Sequence, residues 1–266
     1  MTILDEIVSN KRDELVEYKR ALPIPVLKGS VFFERPCLPL ASRLRSSDTG
    51  IIAEFKRRSP SKGFINEKAD VRQVVAGYEA CGASGISVLA DRAFFAGGPT
   101  FVQKARTVIS RTPVLFKEFV VDPYQIYLAK ASGADAVLLI ASLLDAGTSR
   151  ELTDLAHVLG LEVLYELYDP EELDRIPAEA DMVGVNNRNL RTFEVDVDRA
   201  LGMLRQVDGR HVKVAESGLS DPQTVLRLRR EGVQGFLMGE RFMHEADPAL
   251  ALKNFITALK HEKAAD

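Results

Sequence analysis

The chain has 266 residues, 46% of them hydrophobic and 27% charged, with a formal net charge of −3. That composition supplies a sizeable core and leaves no global positive field for nucleic acid. No run approaches the ~18 apolar residues of a membrane span. The first residues, MTILDEIVSNKRDELVEYKR, lack the apolar stretch of a leader. The expectation is a cytoplasmic protein with no nucleic-acid or membrane partner. Cys37 and Cys81 form no CxxC pair, and His157, His211, His244 and His261 are scattered. Reduced thiols and no metal or redox cofactor are expected.

In chain order, Thr2–Arg20 sets Ile3, Ile7, Leu15 and Tyr18 among charges, the pattern of an amphipathic helix. A looser, proline-containing stretch runs through Gly50. A rhythm then begins. Short runs rich in Val, Ile, Leu, Phe or Ala fall at Ile51–Phe55, Gly85–Leu89, Val114–Phe116, Ala136–Ile140, Glu162–Leu164, Met182–Val185, Val212–Ala215 and Gly235–Met238. Helix-like segments separate them: Val71–Cys81, Phe101–Ile109, Pro123–Ser132, Ser149–Leu159, Pro170–Ile176, Val197–Arg205, Pro222–Glu231 and Pro248–Lys260. Pro123, Pro170, Pro222 and Pro248 each follow an Asp, a capping residue ahead of a first turn that needs no N–H. Gly82, Gly133 and Gly232 stand where a left-handed helix end is expected.

Eight apolar strands alternating with helices predict a parallel sheet covered on both faces. Within ~210 residues they predict an α/β fold, the closed (β/α)8 (TIM) barrel. An open doubly wound sheet would carry a glycine-rich turn after its first strand. Here Lys56-Arg57-Arg58-Ser59 follows instead. Residues 1–266 are expected to form one barrel domain, with 1–49 a helical extension whose apolar stripe covers part of it.

The strand ends are charged: Glu54 and Lys56 after the first, Lys117 after the third, Glu166 after the fifth, Asn186 and Arg188 after the sixth, Glu216 and Ser217 after the seventh. Glu54 and Lys56 share a parity and hence a face. In a barrel these ends meet at one mouth, where buried charges must be paired. Gly218 and the pair Gly239-Glu240 fall in the seventh and eighth turns, the usual phosphate position in such barrels. The long connection from Lys56 to about Ala69, with Ser59-Pro60-Ser61-Lys62-Gly63, is a candidate lid. Phe94-Phe95-Ala96-Gly97-Gly98 is a candidate wall.

These motifs resemble those of the indole-3-glycerol phosphate synthase family. The matching stretches are Ile52-Ala-Glu-Phe-Lys-Arg-Arg-Ser-Pro-Ser-Lys-Gly63, Ile86-Ser-Val-Leu-Ala-Asp91, Leu115-Phe-Lys-Glu-Phe-Val-Val-Asp122, Glu162-Val-Leu-Tyr-Glu166, Gly184-Val-Asn-Asn-Arg-Asn-Leu190, Ala215-Glu-Ser-Gly218 and Met238-Gly-Glu240. Asn189 and Ala90 depart from the family's commoner Asp and Thr or Ser. The resemblance covers nearly the whole chain and implies a monofunctional enzyme closing an indole ring, with loss of CO₂ and water, on 1-(2-carboxyphenylamino)-1-deoxyribulose 5-phosphate.

It implies Lys117 as general acid to the ketone and Glu166 as acid/base in the dehydration. Lys56, held by Glu54, would meet the carboxylate or supply a second proton. Asn186, Arg188, Glu216, Ser217, Ser59 and Leu190 would complete the pocket, and Phe94 and Phe119 would hold the ring. Gly218, Gly239 and Glu240 would hold phosphate. The partner is a small phosphorylated substrate, and with no interface stripe a monomer is expected. A related barrel isomerase would use a Cys/Asp pair, but neither cysteine sits at a strand end. A Schiff-base aldolase and a non-catalytic phosphate-binding barrel are the other readings of the same residues.

Overall fold

Ten strands are formed in the computed structural model, which describes residues 3–189 and 194–265. They are β1 (Ile51–Phe55), β2 (Arg58–Ser59), β3 (Gly63–Phe64), β4 (Gly85–Leu89), β5 (Val114–Lys117), β6 (Ala136–Ile140), β7 (Glu162–Leu167), β8 (Met182–Asn186), β9 (Val212–Glu216) and β10 (Gly235–Met238). All but β2 and β3 pair in parallel, each with its neighbour in the chain, and β10 closes on β1. The barrel is therefore the expected (β/α)8 architecture. The short antiparallel pair β2–β3 turns the expected open loop after β1 into a hairpin.

Four strands run further than their apolar stretches suggest. Lys117, Glu166, Asn186 and Glu216 are themselves strand residues. Strand alternation therefore aims them inward as firmly as the apolar residues below them.

The helices outside the barrel are α4 (Val71–Ala80), α5 (Pro99–Arg106), α6 (Pro123–Ala131), α7 (Ala146–Val158), α8 (Val197–Leu204), α9 (Pro222–Arg230), α10 (Glu240–Met243) and α11 (Pro248–Ala265). The segment after β7 is a 3-10 helix, Pro170–Arg175. Asp122 and Asp221 cap α6 and α9, and Asp247 accepts the N–H groups of Ala249 and Leu250. Helix α5 starts two residues before the expected Phe101, because Pro99 takes its first turn. Helix α7 starts three residues before Ser149, capped by Asp145.

The N-terminal extension holds more structure than its prolines suggest: α1 (Ile3–Ala21), α2 (Ile24–Lys28) and α3 (Leu40–Ser46). Helix α3 plugs the N-terminal end of the barrel. Leu40 and Leu44 are fully buried with the interior residues Ile52, Leu115, Val212 and Leu237. Space for them comes from Gly85 and Gly235, the first residues of β4 and β10. A Cβ at either would lie 2.6 Å from Leu40 Cδ1 or 3.1 Å from Leu44 Cδ1. Arg35 and Arg106 meet on buried Asp135, which fastens the α2–α3 connection to the barrel wall.

Candidate active site

A cavity of about 480 Å³ opens at the C-terminal ends of the strands. Its floor is charged. Lys117 Nζ on β5 donates to Glu166 Oε2 on β7 at 2.9 Å and lies 3.4 Å from Glu216 Oε2 on β9. Asn186 Nδ2 on β8 donates to Glu166 Oε1 at 2.9 Å. On the adjoining side, Lys56 Nζ is 2.8 Å from Glu54 Oε1, as their shared parity predicts. Ser87 Oγ donates to Glu54 Oε2 at 3.4 Å, the two residues being directly in register across β1 and β4. Glu54, Lys56, Lys117, Glu166 and Glu216, all at strand ends, line this one cavity.

Burial and neighbours set the protonation of the cluster. Burial pushes Glu216 up to about 8, the charge of Glu166 adds to that, and Lys117 opposes it. Burial also works against ionised Glu166, but Lys117 and the Asn186 amide outweigh it and hold Glu166 below the ordinary carboxylate range. On Lys117, burial is outweighed by Glu166, Glu216 and Glu54, so its ammonium loses a proton less readily than a free lysine. The cluster therefore favours an ammonium at Lys117 and a carboxylate at Glu166, and Glu216 is the member that takes up a proton most readily.

One residue that makes room for this pair went unnoticed in the sequence. Gly184 lies opposite Glu166 in the ladder, and a Cβ there would stand 2.1 Å from Glu216 Oε1. Beyond its place at the head of the matching stretch to Leu190, its sequence signal is a glycine inside an otherwise apolar strand.

The turns after β9 and β10 form the far rim. Ser217 and Gly218 are both left-handed, with φ of 67° and 68°, and Asn187 Nδ2 donates to Ser217 O at 2.7 Å. A side chain at Gly218 would run into Val195. Gly239 packs on Glu54, with room for no Cβ, and leads into α10. Glu240 directs its carboxylate to Lys62 Nζ at 2.6 Å and Arg188 Nη2 at 3.5 Å. Its side chain thus bridges the β2–β3 hairpin to the loop after β8, and only its backbone N–H suits an anion.

The opposite wall is apolar. Of the two phenylalanines of the expected wall, Phe95 lines the cavity and Phe94 is turned away from it. Asp91 Oδ1 accepts the N–H groups of both Phe94 and Phe95, at 2.7 and 3.2 Å. That turn leaves Phe95 on the cavity side, with its ring 6.0 Å from that of Phe119. Phe119 and Ser59 also line the cavity. Leu190 lies outside the described residues. Neither cysteine lines the cavity.

The first turns of α1 complete this wall with Ile3, Leu4 and Ile7. The sequence placed α1 against the barrel without placing it over the mouth. A signal was present: Ile7, Lys11 and Leu15 recur every four residues on one face, and all three are buried. Lys11 is thus a lysine on a buried stripe.

A closed parallel barrel with a paired lysine–carboxylate cluster at its C-terminal mouth defines an acid–base barrel enzyme. Comparison with known proteins narrows that class. The family described as "Indole-3-glycerol phosphate synthase" matches residues 4–255. A protein of that name from Bacteroides thetaiotaomicron is 46% identical over 258 residues, 97% of this chain and 99% of the relative. One from Salinibacter ruber is 44% identical, covering 95% of this chain and 94% of the relative. The chain belongs to the indole-3-glycerol phosphate synthase family. Among solved structures, a tryptophan synthase alpha-subunit from Pyrococcus furiosus matches 80% of this chain and 98% of its own, with a TM-score of 0.60 and 20% identity. That likeness concerns the fold alone.

Proposed function

We propose that the protein converts 1-(2-carboxyphenylamino)-1-deoxyribulose 5-phosphate into indole-3-glycerol phosphate, CO₂ and water. The supporting observation is the position of Lys117 Nζ, between Glu166 and Glu216 and within one cavity with an aromatic wall. The ring carbon bearing the carboxylate attacks the ketone carbon, and Lys117 protonates the oxygen as it becomes an alkoxide. The C–C bond to the carboxylate then breaks. CO₂ leaves, and its electron pair restores the aromatic ring.

Glu166, ionised and held by Lys117 and Asn186, takes the proton that must leave in the dehydration. The departing hydroxyl takes its second proton from the Lys56 ammonium, since Lys117 has already given its own to the alkoxide. Lys56, fixed by Glu54, faces the substrate carboxylate. Protonated Glu216 keeps the pair from carrying two adjacent negative charges. Ser217, Gly218, Gly239 and the backbone of Glu240 hold the phosphate, with Arg188, Ser59 and Leu190 along the chain of the sugar. Phe95 and Phe119 hold the anthranilate ring. A metabolic phosphate as substrate suits the cytoplasm, where the protein would act as a monomer.

The test is to supply this substrate to the purified protein and follow indole fluorescence together with CO₂. The chain has no tryptophan, so an indole signal comes from product alone. Product and CO₂ are expected in equal amounts. Tight binding without product overturns the proposal, and so does a borohydride-trapped imine on Lys117.

A further inference from the structure

Lys11 is 1% exposed and makes no contact with the catalytic cluster. Its ammonium sits instead among three carboxylates: Glu14 one turn along α1, Asp91 Oδ2 at 3.0 Å and Glu118 Oε2 at 3.1 Å. Oxygens of these three acids lie within 4.8 Å of one another, and Lys11 is the cation that lets Asp91 and Glu118 be buried side by side with the half-buried Glu14.

Each link from Lys11 leads to a different part of the apolar wall. Asp91 uses its other oxygen to take the N–H groups of Phe94 and Phe95, so it sets the turn that presents Phe95. Glu118 uses its other oxygen to take the Phe119 N–H at 2.8 Å, and it directly follows Lys117. The third link is α1 itself, whose Ile3, Leu4 and Ile7 lie on the cavity. The two rings and the helix come from distant parts of the chain, and Lys11 is the group they share.

We propose that Lys11 is a positioning residue that assembles the aromatic half of the substrate pocket, joining α1, the Phe95 turn and Phe119 around one buried ammonium. The proposal rests on the reading of the cavity as a site for an anthranilate ring joined to a sugar phosphate. Lys11 touches no substrate atom. It acts through Asp91, Glu118 and the helix that carries it. The phosphate rim, at the turns after β9 and β10, has no link to Lys11.

The test compares wild type with Lys11→Met and with Lys11→Met/Glu118→Gln, in which one buried negative charge is removed along with the positive one. Each is assayed for KM and kcat with the carboxyphenylamino-deoxyribulose phosphate, and for competitive inhibition by inorganic phosphate. Both variants are expected to raise KM about tenfold or more, with a smaller change in kcat, as for lost ring binding. The inhibition constant of inorganic phosphate is expected to stay within about twofold, because that end of the pocket is untouched. A residue serving stability alone moves neither constant in folded protein. An unchanged KM, or an equal loss of phosphate affinity, overturns the proposal. A double variant that fails to fold also overturns it, since Lys11 then serves the fold. If wild type forms no product, the ring-closure reading fails separately. The role of Lys11 is then decided by fluorescence titration with 2-aminobenzoate, where equal affinity in wild type and Lys11→Met overturns it.

Discussion

The two ends of the barrel are closed by the same N-terminal extension in opposite ways. At the N-terminal end, α3 inserts Leu40 and Leu44 between strands that begin with glycine, so the side chains that enter the barrel are apolar. At the C-terminal end, α1 lies to one side of the mouth through a buried lysine and leaves a cavity beside it. An apolar plug needs only shape, and water is excluded for good. A mouth that admits an anionic substrate must keep charges buried, paired and reachable together, and ion pairs fixed by strand geometry do that. The difference separates stability from chemistry along the barrel axis.

Substitutions at the two ends sharpen that contrast. The largest loss is expected for Lys117→Ala, which lowers kcat by at least about a hundredfold, the scale of a lost general acid; steady-state kinetics measures it. Glu166→Gln is expected to fall about as far, and the acid limb of the pH–rate profile, set below the ordinary carboxylate range in wild type, should disappear. Gly184→Ala puts a methyl group against Glu216 Oε1 and is expected to cost about tenfold in kcat/KM by displacing that side chain.

Titration of Glu216 gives a smaller and graded effect. The groups that face it are Glu166, Lys117 and Glu54. Its folded pKa of about 8 lies above the ordinary 4.5, so its contribution to stability is full below about 4.5 and is lost as pH rises through about 8. The melting temperature of wild type should therefore fall across that window more than that of Glu216→Gln. The kcat/KM profile should carry a basic limb near 8 that the variant lacks. At the opposite end, Leu44→Ala is expected to cost about 2–5 kcal/mol in denaturant unfolding and to change kcat in folded protein by less than about twofold.

Much of this division is legible in the sequence, and the exceptions have physical reasons. The strand rhythm is strong because both faces of each strand are buried, so apolar runs stand out. Glu54, Lys56, Lys117, Glu166 and Glu216 were found because charge at the end of such a run is rare and parity tells which way it points. The C-terminal ends of β5, β7, β8 and β9 run one to three residues past their apolar stretches, since a polar residue looks like the end of a strand even when the ladder continues through it. Phe94 and Phe95 are adjacent and chemically alike. Only the Asp91 turn decides which one faces the cavity, and that turn depends on side-chain hydrogen bonds. Helix α3 is hard to see because seven residues after Pro39 carry little periodicity, and its partners, Gly85 and Gly235, are far away in the chain. Lys11 is not singled out among the charges of the amphipathic helix, although its place between Ile7 and Leu15 puts it on the buried stripe.

The central claim is that turnover resides in the lysine–carboxylate cluster at the mouth and not in the integrity of the barrel as a whole. The most direct measurement is the initial rate of indole-3-glycerol phosphate formation by Lys117→Ala and by Leu44→Ala at one temperature where both are folded. The account predicts a rate at least about a hundredfold below wild type for the first and within about twofold for the second. A near-wild-type rate in Lys117→Ala, or equal losses in the two variants, would contradict it.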